Sequence, residues 1–184
     1  LSIDGISNSL DIDQWGSNNE VSWVDYWGSG ASWGGDLDGN NNSLHFYQYC
    51  SRGSNCAKSD VGFHILGNDN TVRWGQGGML DDIDDTTFGS GHTATVYIYA
   101  DENEVWVTQN TDGVKTFTMT SRTDENSVSV EQTGNAAHTG TITLTGSSPT
   151  TLNLTQQSNT AQSYSLTQNC VTVGGCSISV TQGN

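Results

Sequence analysis

The sequence predicts an all-β protein, a β-solenoid of about seven strand-turn-strand rungs with asparagine and glutamine ladders and with insertions in its N-terminal half. Three observations carry that expectation. A seven-residue pattern recurs along the chain, each copy alternates apolar and polar residues, and a second alternating segment lies between successive copies. No segment holds a helical period over three turns, so no continuous helix is expected. The 184 residues suit a single domain, 1–184, with irregular rungs over 1–102 and regular rungs over 103–184.

The copies are, in order, NSLDIDQ (8–14), NSLHFYQ (42–48), NTVRWGQ (70–76), NEVWVTQ (103–109) and NSVSVEQ (126–132). Two relaxed copies follow, TTLNLTQ (150–156) and CSISVTQ (176–182). Side chains alternate across a strand, so the first, third, fifth and seventh positions share one face. That face reads Asn8, Leu10, Ile12, Gln14 in the first copy, Asn42, Leu44, Phe46, Gln48 in the second and Asn126, Val128, Val130, Gln132 in the fifth. The other face carries mostly Ser, Thr, Asp, Glu, His and Arg, and it is the wet one. Between the copies lie VGFHI (61–65), ATVYIYA (94–100), TFTMT (116–120), TITLT (141–145) and SYSLTQ (163–168), each a second short strand. Two short strands with one apolar face cannot stand alone, but stacked units bury a shared core. At ~4.8 Å per rung the stack reaches roughly 30 Å. Its expected core is Val105, Val107, Val128, Val130, Ile142, Leu144, Leu152, Leu154, Ile178 and Val180.

Amides on the buried face have a structural explanation. In a parallel, in-register stack each side-chain amide donates to one neighbouring rung and accepts from the other, and so forms a ladder. The ladder satisfies groups that would otherwise cost roughly 1–3 kcal/mol each, and it fixes register, because a one-residue slip puts every amide on the wrong face. The expected ladder and core amides are Asn8, Asn42, Asn70, Asn103 and Asn126, with Gln14, Gln48, Gln76, Gln109, Gln132, Gln156, Gln168 and Gln182.

The insertions break this rhythm. Cys50 and Cys56 (CSRGSNC) and Cys170 and Cys176 (CVTVGGC) form two matched pairs in a polar, loop-rich chain, which reads as two local disulfides in an oxidising compartment. Three connectivities are open to four cysteines, and free thiols are the alternative. WVDYWGSGASWGG (23–35) gathers Trp23, Tyr26, Trp27 and Trp33 among glycines; exposed, they offer a stacking surface for sugars or for a neighbouring subunit, and buried they fill wide first rungs. Asp36 and Asp38 in GDLDGNN, with Asp81, Asp82, Asp84 and Asp85 in QGGMLDDIDDTTFGSG, are candidate calcium ligands, and a solvated acidic loop is the competing reading. No complete calcium motif is present, and no other cofactor is expected. His45 and His64 alternate with apolar neighbours and point outward, while His92 and His138 lie near turns and are expected on the surface.

Charge excludes several partners. Lys+Arg 5 against Asp+Glu 20 gives a net charge of −15, which repels phosphate backbones and anionic headgroups, so neither nucleic acid nor membrane insertion is expected. No GxSxG serine, HExxH pair or phosphate-binding glycine loop occurs, and the reading is non-enzymatic. The chain starts at LSIDG, as a processed, secreted protein would, and neither end carries a recognisable cap. Uncapped solenoid edges are templates for another chain.

Gln132-Thr-Gly134-Asn135-Ala-Ala137 and Gln156-Gln-Ser-Asn159-Thr-Ala161, followed by Gln168, resemble the curlin repeat, as does the recurring NxVxVxQ strand. The resemblance is good over 103–184 and looser over 1–102, where insertions, six Trp and cysteine loops depart from it. It implies a subunit that polymerises with itself into an extracellular, amyloid-like fibre of a bacterial cell surface or biofilm matrix. Two rival readings are a monomeric adhesin that binds surface glycans or depends on calcium, and an ice-binding module built on outward threonines.

Alternation makes a direct prediction. Val130→Asp places a charge on the core face and is expected to abolish assembly, while Ser129→Asp on the wet face is tolerated. A sedimentation assay in which both variants assemble equally refutes the alternation.

Overall fold

A computed structural model describes residues 2–15, 19–23, 36–49, 59–76, 92–110 and 113–183. In chain order the strands are β1 (Ser2–Asp4), β2 (Ser9–Trp15), β3 (Asn19–Trp23), β4 (Asp36–Asp38), β5 (Ser43–Tyr49), β6 (Ser59–Leu66), β7 (Thr71–Gln76) and β8 (Thr93–Ile98). They continue with β9 (Glu104–Gln109), β10 (Lys115–Ser121), β11 (Ser127–Thr133), β12 (His138–Gly146), β13 (Thr150–Gln157), β14 (Gln162–Cys170) and β15 (Cys176–Gln182). Among the described residues there is no helix.

Every strand pair is parallel. One sheet runs β1-β4-β6-β8-β10-β12-β14, with β3 also paired to β6, and the other runs β2-β5-β7-β9-β11-β13-β15. The chain therefore alternates between two sheets and coils into a β-solenoid. Parallel neighbours in one sheet need a crossover between them, and here the crossover is the strand contributed to the opposite sheet. All seven copies of the repeat fall in the second sheet, and all five intervening segments in the first.

Register converts the repeat into columns. Leu10, Leu44, Val72, Val105, Val128, Leu152 and Ile178 stand in one line, and Ile12, Phe46, Trp74, Val107, Val130, Leu154 and Val180 in the next. From the first sheet, Phe63, Val96, Met119, Ile142 and Leu166 face them. The core lies between the sheets and is bridged by aromatic pairs: Phe46 stacks on Phe63 at 5.1 Å and Trp74 tilts against Phe117 at 5.5 Å. Eight of the ten expected core residues are buried, whereas Ile178 and Val180 are only partly so, because β15 is outermost and has one neighbouring strand.

The sequence pattern did not foresee β1, β3 or β4. Three residues are too few for alternation to register, yet β1 and β4 supply the first sheet's outer strands before β2 and β5. Insertions are absorbed without loss of register: the spacing between matched ladder amides is 34, 28 and 33 residues early and 23, 24 and 26 later.

One corner recurs with a fixed backbone. The residue just before each ladder asparagine adopts the left-handed conformation: Ser7, Asn41, Asp69, Glu102 and Glu125, with φ of 60°, 56°, 57°, 57° and 58°. Gly39, at φ 133°, makes room for the next rung, since a Cβ there would sit 1.8 Å from the Gly67 carbonyl oxygen.

A second glycine sets packing rather than a turn. Gly140 stands in register between Phe117 and Tyr164, and a Cβ added there would lie 2.5 Å from the Phe117 ring. Gly140→Ala is expected to destabilise the fold by about 1–3 kcal/mol. That corresponds to roughly 2–4 °C of thermal midpoint per kcal/mol, read by circular dichroism. An unchanged midpoint would mean that the Phe117 ring moves aside without cost.

Candidate functional site: amide ladders and open sheet edges

Asparagine forms the first ladder, at the corner leading into the second sheet. Nδ2 of Asn42 donates to Oδ1 of Asn8 (3.2 Å), Asn70 to Asn42 (3.0 Å), Asn103 to Asn70 (3.1 Å) and Asn126 to Asn103 (2.9 Å). The backbone N–H of each donor residue reaches the same oxygen, at 3.0, 3.0, 3.0 and 3.1 Å. Each oxygen thus accepts two bonds from the next asparagine and uses both lone pairs, and Asn103 Oδ1 also takes the Ser121 hydroxyl at 3.2 Å. Thr150 follows in the column, and its N–H donates to Asn126 Oδ1 at 2.8 Å.

Glutamine forms the second ladder at the other end of the same strands, and it runs the opposite way. Nε2 of Gln76 donates to Oε1 of Gln109 (2.9 Å), Gln109 to Gln132 (2.9 Å), Gln132 to Gln156 (2.7 Å) and Gln156 to Gln182 (2.8 Å). From Gln109 onward each amide also donates to a first-sheet carbonyl: Gln109 to Thr93, Gln132 to Thr116, Gln156 to Thr139 and Gln182 to Ser163. Gln14 and Gln48 hold backbone positions in the same register. Gln168 stands apart from this ladder. It is in register with Leu144, in the column that also holds Ile98 and Ser121.

A third column was not read from the sequence. Outside the asparagines, the N–H of Ile6 donates to Asn40 Oδ1, Asn40 to Asn68, Asn68 to Asp101 and Asp101 to Asp124, at 2.8, 2.9, 2.6 and 2.9 Å. Its signal is an Asn or Asp two residues before every ladder asparagine except Asn8, where Ile6 stands, as in Asn68-Asp-Asn70 and Asp101-Glu-Asn103.

The opposite corner corrects one expectation. His92 and His138 are fully buried, with Lys115 between them in the same inward column. His138 opens β12 and His92 directly precedes β8, both at the position that faces the core, and a neutral imidazole is buried at modest cost where an ion is not. Lys115 meets that larger cost with three carbonyl oxygens, Gly113 (2.8 Å), Gly134 (2.8 Å) and Ala136 (3.0 Å), which take all three ammonium protons. His92 Nδ1 accepts the Lys115 N–H at 3.1 Å, and His138 Nε2 bonds the Thr133 carbonyl at 2.7 Å. Burial, reinforced by the Lys115 charge, pushes His92 down from 6.5 to about 3, and burial also lowers His138 against the raising effect of that carbonyl. His45 and His64 do take the outer side of their strands, His64 against Tyr99 at 5.4 Å.

The edges complete the site. Among the described residues no strand covers the outer side of β14 and β15 or of β1 and β2. No Asp, Glu, Lys or Arg follows Glu131, so β14 and β15 lack the charges that usually protect an exposed edge. The opposite edge carries Asp4, Asp11 and Asp13. Cys170 and Cys176 form a disulfide across the β14–β15 turn, with S–S 2.07 Å. Cys50, Cys56, Tyr26, Trp27, Trp33, Asp81, Asp82, Asp84 and Asp85 lie outside the described residues. Trp23 ends β3, and Asp36 and Asp38 bound β4. No group of three or more potential metal ligands occurs among the described residues. Comparisons with family models, with curated proteins and with solved structures found no match.

Two outcomes test the site. Gln132→Leu leaves the Gln109 donor and the Gln156 acceptor each without a ladder partner, and is expected to cost about 2 kcal/mol or more in a urea unfolding curve. Between pH 6.5 and about 3 the unfolded chain takes up a proton that folded His92 refuses, so stability falls with falling pH. From pH 7 to 5 the expected loss is about 2 kcal/mol, reduced in His92→Gln. A pH-independent urea midpoint would show that His92 is not held neutral.

Proposed function

We propose that this chain is a structural subunit that stacks head to tail into an extracellular, amyloid-like β-solenoid filament of a cell surface or matrix. Each copy contributes about seven rungs to the common axis in this reading. The carrying observation is the end of the glutamine ladder. Gln109, Gln132 and Gln156 each donate to the next glutamine and to a first-sheet carbonyl, whereas Gln182 makes the carbonyl bond and, among the described residues, no further glutamine accepts from it. A second copy whose Gln14 takes the next ladder position supplies the missing acceptor.

Charge and ladder polarity favour one orientation. Two N-terminal edges bring Asp4, Asp11 and Asp13 of each copy together, a like-charge contact. Two C-terminal edges set the Gln182 donors against each other. Only the head-to-tail contact joins donor to acceptor and acid to a neutral edge, and a heterologous contact that does not close gives a filament. The curlin-like motifs support the same reading, and the disulfide suits an oxidising, secreted setting.

A specific observation favours a second reading. Outward hydroxyls on the first sheet stand in register as Thr93, Thr116, Thr139 and Ser163, and as Thr95, Thr118, Thr141 and Ser165. Rows of ~6.8 Å by ~4.8 Å suit contact with ordered water at an ice surface; the first row runs on in register to Asp60.

Electron microscopy of the purified chain with disulfides intact, beside size-exclusion of a fresh sample, tests the proposal. Unbranched filaments with an axial rise near roughly 30 Å are expected. A monomer that persists at high concentration refutes it, and thermal hysteresis of that monomer would establish the second reading.

A further inference from the structure

Resting on that head-to-tail reading, we infer that the joint between copies is registered at one corner, where Ile6 of one copy seats against Val171 and the disulfide-held Val173 of the next. The third column supplies the argument. Ile6, Asn40, Asn68, Asp101 and Asp124 follow one another by hydrogen bonds, each N–H donating to the side chain on the next rung. Gly146 pairs with Cys170, so Ser147 and then Val171 continue the line. Interior positions are thus Asn, Asn, Asp, Asp and Ser, and both ends are aliphatic.

That reversal has a physical consequence. An interior position is polar because the preceding rung presents an N–H to it. Ile6 has no preceding rung among the described residues, and at Val171 the Ser147 N–H goes instead to the Cys170 carbonyl oxygen at 2.9 Å, so neither end position is called on for a side-chain acceptor, and neither has one. The asparagine column likewise gives way to Thr150 and Cys176 before the C-terminal edge. This corner therefore cannot pass a polar ladder to a second copy, and an apolar contact is what its residues can make. At the ~4.8 Å rung spacing, Val171 and an incoming Ile6 touch.

Exposure points the same way. Among the described residues five large hydrophobics are exposed, and three lie at the two ends of this one corner: Ile6 at 74 %, Val171 at 66 % and Val173 at 99 %. The loop that carries the valines is set before any contact forms. Cys170–Cys176 closes its base, Gly175 N–H donates to Thr172 O at 2.9 Å and Cys176 N–H to Pro149 O at 2.9 Å. A preformed loop loses little entropy on docking.

The test uses complementary blocked faces. Ile6→Asp spoils only the N-terminal face, and Val171→Asp with Val173→Asp spoils only the C-terminal face. All three sites are exposed, so thermal melts of the monomers are expected to match wild type. Each variant alone should polymerise about tenfold or more slowly than wild type, equivalent to ~1.4 kcal/mol lost per joint. Mixed above the wild-type critical concentration, the two should form a one-to-one dimer by light scattering, each through its intact face. Wild-type growth rates for either variant, or a mixture of folded variants that stays monomeric, overturn the corner joint while wild-type filaments still stand. A wild type that never polymerises overturns the head-to-tail reading itself, and the joint with it.

Discussion

Parallel, in-register stacking is the constraint on which the rest of this molecule depends. Once like positions lie over like positions, one residue type repeated along the chain becomes a column. Only side chains that tolerate their own kind as neighbours survive in such columns. Aliphatics do so by packing, and amides do so because each carries both a donor and an acceptor. A charge does not, which is why Lys115, the one inward ammonium among the described residues, stands between two neutral histidines and within reach of three carbonyl oxygens. Slippage is prohibited for the same reason. Moving a strand by one residue would bury Ser129 and Glu131 and expose Val128 and Val130 together.

Amide ladders at the two ends of the second sheet's strands point in opposite directions, the asparagine donors toward the N-terminal rung and the glutamine donors toward the C-terminal one. The stack therefore has a direction at each corner but partly cancels its side-chain dipoles overall. Its ends are consequently unlike each other in bonding, and they are also unlike in charge. That asymmetry is what the head-to-tail proposal rests on, since bare edges alone would give no direction to a contact.

Much of the fold was legible because period-two alternation survives insertion. The strands around Val105, Val128 and Leu152 were readable from sequence, and so was the facing of Ser129 outward and Val130 inward. The asparagine ladder was legible because its residue type hardly varies from Asn8 to Asn126. The outer column was not, since Ile6, Asn40, Asp101 and Ser147 share a backbone role and not a side-chain type. His92 and His138 were misplaced because nearness to a turn is a property of sequence distance, while burial depends on which face the strand's first residue takes. Gln168 closes an alternating segment as the ladder glutamines do, but it belongs to the other sheet and so falls into another column.

The absence of charge after Glu131 reaches beyond the edge it leaves bare. All five basic residues, Arg52, Lys58, Arg73, Lys115 and Arg122, lie in the first two thirds of the chain, and Lys115 is buried. A protease that cuts after lysine or arginine has no site anywhere beyond Arg122. The most regular part of the solenoid is thus inert to trypsin by composition alone, even when unfolded. Residues 123–184 would stay uncut within one long fragment, a stretch with a single histidine and no lysine or arginine, of a kind that routine peptide mass spectrometry samples poorly. A survey by that method would count this protein from the residues up to Arg122, and the rungs beyond it would go unseen.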